Sequence, residues 1–97
     1  MKVMISQPMR GKTEEQIRKE REELVKLLEQ EGHEVVDTIF AKETPKDCDT
    51  ALYYLSESIK AIGKVDGLVF MPGWEDARGC RVEYEVAVRY GRFIRIM

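Results

Sequence analysis

Apolar residues in this chain fall into short blocks separated by longer amphipathic stretches. Lys2 to Ser6 (KVMIS) is short, apolar and β-prone, and runs into the turn-like QPMRG. Thr13 followed three residues later by Gln16 predicts a capping box, with Glu14 and Glu15 suited to the positive end of a helix. From there Ile17, Leu24, Leu27 and Leu28 recur at helical spacing with charges on the other side, until Gly32 stops the pattern. His33 to Phe40 (HEVVDTIF) predicts a second strand, and Ala41 to Asp49, polar and carrying Pro45, a loop. Asp49 is placed to cap a second helix, whose Leu52, Leu55, Ile59 and Ile62 form one stripe closed by Gly63. Val65 to Met71 (VDGLVFM) is nearly continuous in apolar residues after Asp66, as a strand covered on both faces would be. Gly79 to Tyr90 predicts a third helix with Val82, Val86, Ala87 and Tyr90 inward and Gly91 as its stop, and Phe93 to Met97 a last strand.

The order β-α-β-α-β-α-β predicts a three-layer α/β fold of flavodoxin or Rossmann type, a parallel sheet wound by right-handed crossovers. With four strands and three crossover helices the expected spatial order is 2-1-3-4. The first and third strands then lie side by side, and their connections leave in opposite directions. Ligands bind at such switch points, beyond the carboxyl ends of the strands. The two loops that meet there are Ser6 to Lys12 and Pro72 to Gly79.

Composition narrows the function more than the fold. Ninety-seven residues with 43% apolar content make one domain, 1–97, with a packed core. A formal net charge of −2 leaves no basic footprint for a nucleic-acid polymer. No apolar run nears the ~20 residues needed to span a membrane, and the N-terminus reads as a strand and not a signal peptide. Cys48, Cys80 and the single His33 cannot supply a zinc site, so the expectation is a cytoplasmic protein with reduced thiols, no metal and no cofactor.

The first loop, SQPMRGK, sets a hydroxyl, a guanidinium, an ammonium and a glycine next to a helix N-terminus. These are the parts of an anion site, with Arg10 or Lys12 pairing the charge, and equally those of an ordinary solvated turn. It has neither the P-loop nor the dinucleotide glycine spacing. The second loop offers Gly73, Trp74, Arg78 and Gly79, then Glu83. Trp74 in a loop suits stacking on a base or sugar, or a lid over the core edge. Glu83 suits a nucleophilic carboxylate in glycoside chemistry, or a surface residue near a helix start.

SQPMRGK after the first strand, VDGLVFMPGWEDARGCRVEYEVA across the third, and the E-E-Q-I…L…EGHEV helix together resemble the nucleoside 2-deoxyribosyltransferase-like superfamily, nearest its small DUF4406 branch. The resemblance spans essentially the whole chain and implies cleavage of an N-glycosidic bond. The nucleophile of the family's G-x-x-x-E element falls on Gly79 and Glu83. The 5′-phosphate loop of the related deoxynucleoside 5′-monophosphate N-hydrolases falls on Ser6, Arg10 and Gly11 with one extra residue, which brings Gln7, Pro8 and Met9 into the substrate-binding set. Asp66 matches the family's Asp at the third strand, with a structural or capping role.

Two positions depart from the pattern. Where relatives carry an Asp on the second helix that assists the leaving base, this chain has Ser58, which occupies the catalytic position but cannot protonate a base as a carboxylic acid can. Where relatives often place a phosphate-touching Ser, it has Ala77, leaving Arg78. The expected function is therefore an N-hydrolase or deoxyribosyltransferase on a nucleoside or nucleotide. The alternative is a non-catalytic nucleotide-binding or sensing module, and a homo-oligomer is expected in either case.

Overall fold

A computed structural model describes residues 1–38 and 44–97. Its four strands are β1 (Lys2–Ser6), β2 (Glu34–Val36), β3 (Gly67–Phe70) and β4 (Phe93–Ile96). Its helices are α1 (Glu14–Gln30), α2 (Thr50–Ile62) and α3 (Arg78–Arg89), with a short 3-10 turn at Trp74–Asp76 before α3. The sheet is wholly parallel in the order β2-β1-β3-β4, as the alternation of elements predicts. β2 is shorter than expected: Asp37 and Thr38 lie beyond it, and the expected boundary at Phe40 and Ala41 falls outside the described residues.

Alternation along the strands divides the core in two. Val3, Ile5, Val69 and Met71 face α1 through Leu24 and Leu28. Met4, Leu68 and Phe70 face the opposite layer, where Ile62 of α2 and Ala87 of α3 close over them. The helix ends follow local rules. Thr13 and Gln16 form the reciprocal capping box on α1, and Asp49 accepts from the Leu52 N–H on α2. Asp66 is structural: its Oδ2 accepts from the Lys2 N–H at 2.9 Å, tying β1 to the start of β3.

Several residues expected to face inward do not. Leu27 is exposed on α1, and Arg21 on the supposedly charged side is buried, donating to Thr38 Oγ1 at 3.0 Å. On α2 the stripe is too wide for one contact: Ile62 is buried and Leu55 half-buried, but Leu52 is 63% exposed and Ile59 39%. The inward line of α3 is Cys80, Glu83 and Ala87, leaving Val82 and Tyr90 exposed. A hydrophobic position about 100° around the helix from the buried line still fits a helical template, which is why spacing alone misassigned them.

Candidate functional site

The loops after β1 and β3 are brought together by strand pairing. Ser6 sits opposite Phe70 in register, and the Met71 N–H donates to the Ser6 carbonyl at 3.0 Å. Gly73 turns the second loop at φ +91°, a conformation costly for a residue with a Cβ. A Cβ there would also stand 3.7 Å from Pro8 Cγ of the first loop.

Beyond these loops opens a cavity of about 450 Å³. Gln7, Pro8, Met9 and Arg10 come from the first loop, and Asp76 through Cys80 together with Glu83 from the second loop and α3. Thr38 and the α2 residues Ala51, Tyr54, Leu55 and Ser58 complete the wall. Of the residues expected from sequence, Gln7, Pro8, Met9, Arg10, Ser58, Arg78, Gly79 and Glu83 share this cavity. Ser6, Gly11, Gly73 and Trp74 lie outside its lining. Gly11 and Gly73 shape the turns with positive φ. Trp74 stacks on Tyr84 with ring centroids 4.6 Å apart and leans on Phe70, so it packs at the edge of the core. Lys12 is held by Glu20 at 2.8 Å, which leaves Arg10 as the cation of the first loop at the cavity. A smaller hollow of about 190 Å³ opens at the other end of the strands, beside Gly67 and Phe93, with no carboxylate in its lining.

Glu83 is the best-defined group of the site. It is 8% exposed, and its Oε1 accepts a 3.0 Å hydrogen bond from the Ser6 hydroxyl. Burial pushes its pKa up to about 7, and the Ser6 bond opposes that shift without cancelling it. Cys80, one turn earlier on the same face, is also buried. Burial raises the thiol, Ser6 opposes, and the Glu83 charge adds to the rise.

The start of α3 adds a second kind of chemistry. Its N-cap is Ala77, which has no side chain to accept from the first-turn N–H groups. Ala77, Arg78, Gly79 and Cys80 all line the cavity, and a Cβ on Gly79 would meet nothing within 4 Å. An uncapped helix N-terminus beside Arg78 and Arg10 favours an anion. The α1 N-terminus, which the sequence also suggested, is instead closed by its own capping box.

Sequence reasoning named Ser58 on the α2 wall but missed Asp76, Cys80, Thr38 and the α2 residues Ala51, Tyr54 and Leu55. Ala51, Leu55 and Ser58 recur at i, i+4, i+7, so that face was readable in principle. Asp76 and Glu83 are the carboxylates among the cavity-lining residues described, and nothing in the local sequence of Asp76 marks it.

No curated protein matches the chain. Among solved structures it is similar to the Clostridium botulinum CMP N-glycosidase BcmB, with a TM-score of 0.65 and 25% identity, covering 99% of this chain and 67% of that one. The family described as a domain of unknown function, DUF4406, matches residues 1–96, and the chain belongs to it.

Proposed function

We propose that this chain cleaves the N-glycosidic bond of a nucleotide, with Glu83 as nucleophile. The observation that carries the reading is a buried, hydrogen-bonded carboxylate in a cavity that also presents two arginines and a free helix N-terminus. The likeness to a CMP N-glycosidase supports the same chemistry. In the reaction a Glu83 carboxylate oxygen attacks the anomeric carbon, and the bond to the base nitrogen breaks with its electron pair. The base leaves as a neutral molecule with a proton drawn from solvent, which the water of the next step returns. Water then hydrolyses the glycosyl ester to free sugar and restores the carboxylate, or a second base accepts the sugar. Arg78, Arg10 and the first-turn N–H groups of α3 hold the phosphate. Ser58 lines the site without an acidic proton, and Asp76 is the second carboxylate available to pair with the departing base.

The partner chemistry of this reading is a small nucleotide, met in the cytoplasm by a homo-oligomer. The exposed α2 residues Leu52 and Ile59 offer an apolar contact for a second copy beside the cavity wall. One observation favours a binding module instead: Ser58 stands where an acid would assist the base. The test is incubation with deoxynucleosides, ribonucleosides and their 5′-monophosphates, with and without an acceptor base, comparing wild type with Glu83→Gln. Free base that disappears in the variant supports the enzyme. No release, with thermal stabilisation by one nucleotide, supports the binding module.

A further inference from the structure

We propose that Ser6 is a positioning residue: its buried hydroxyl, hydrogen-bonded to Glu83, fixes the carboxylate so that Oε2 is the oxygen presented to substrate, and it touches no substrate itself. This inference rests on the reading of Glu83 as nucleophile. Ser6 is 1% exposed and does not line the cavity, so a ligand there cannot reach its oxygen. The single hydroxyl proton is already donated to Glu83 Oε1. A phosphate at that spot would face the Glu83 carboxylate, whereas Arg78 and Arg10 line the cavity itself.

The placement is fixed by the sheet. Ser6 is the last residue of β1, in register with Phe70, and its carbonyl accepts from Met71, so its backbone cannot drift. Glu83 lies on the inward line of α3, and the two side chains meet across 77 positions of sequence. Cys80, a turn before Glu83, is buried on the same face, and its thiol, raised by burial, stays neutral and is a weaker donor than the Ser6 hydroxyl. One donor on one oxygen breaks the symmetry of the carboxylate and leaves Oε2 for the anomeric carbon. The same bond favours the ionised form, which is the form that attacks.

The test compares wild type with Ser6→Ala and Ser6→Cys, using two readouts. The first needs no substrate: the Glu83 carboxyl is followed by carbon-13 NMR in protein carrying labelled glutamate, with Glu83→Gln assigning the signal. The titration midpoint is expected to move upward from about 7 in Ser6→Ala, and less in Ser6→Cys, whose thiol is a weaker donor. The second is base release from a 5′-monophosphate. Ser6→Ala is expected to lower kcat about tenfold or more at neutral pH with KM little changed, and to recover in part at higher pH. A raised KM for monophosphates with kcat intact would make Ser6 a phosphate ligand and overturn the inference, as would an unmoved midpoint. If wild type releases no base from any nucleotide, the proposed activity fails, while the NMR titration still decides whether Ser6 governs Glu83.

Discussion

Glu83, the proposed nucleophile, also carries a local cost to stability. Its pKa is raised from 4.5 in the reference state to about 7 in the fold, so the native state holds the proton more tightly than the unfolded chain. Such a group contributes stability that is fully present below about pH 4.5 and is lost as pH rises through about 7. The shift corresponds to about 3 kcal/mol. Glu83→Gln, which cannot ionise, is therefore expected to match wild type in urea unfolding at about pH 4 and to exceed it by up to about 3 kcal/mol near pH 8. Equal stabilities at both pH values would mean that Glu83 is hydrated in solution. Glu83 could be singled out from sequence because a carboxylate one turn past a glycine-flanked loop is a local pattern. Its partner could not: Ser6 reads as a loop hydroxyl, and its bond to Glu83 exists only once β1 and β3 are paired.

Among the elements, α3 departs from the rule that the other two helices follow. α1 and α2 begin with side chains that accept from their own N–H groups, and α3 begins at Ala77 with none. Ala77→Asp is expected to cap the helix and raise stability by about 1 kcal/mol in thermal or urea unfolding. It also places a negative charge at the proposed phosphate position, so the same variant is expected to weaken binding of a 5′-monophosphate while sparing the nucleoside. Unchanged nucleotide affinity would remove the α3 N-terminus from the site. Helix existence and termini were legible because caps and stops are local. The faces were less so: Leu52, Ile59, Val82 and Tyr90 fit the helical period but lie at the edge of the arc that meets the sheet, and the period does not say which part of a wide stripe is covered.

At the scale of the whole molecule, the strand order 2-1-3-4, expected for a four-stranded doubly wound sheet, places the two loops together. Of the cavity's α2 wall Ser58 was foreseen; that Ala51, Tyr54 and Leu55 join it depends on how far the helix is rotated over the sheet. That rotation leaves Leu52 and Ile59 in water beside the opening, the surface a second copy is expected to cover. Light scattering on the wild type is expected to give a dimer or higher oligomer, and Leu52→Glu with Ile59→Glu a folded monomer with reduced base release. A monomeric wild type at micromolar concentration would count against that interface.

The most direct test of the nucleophile is to stop the reaction with acid during turnover of a 5′-monophosphate and to locate any sugar-phosphate adduct by peptide mass spectrometry. The expected result is an adduct on the peptide containing Glu83, absent in Glu83→Gln together with base release. Base release that persists at the wild-type rate in Glu83→Gln, or an adduct on another residue, would contradict the assignment of Glu83 as the attacking group.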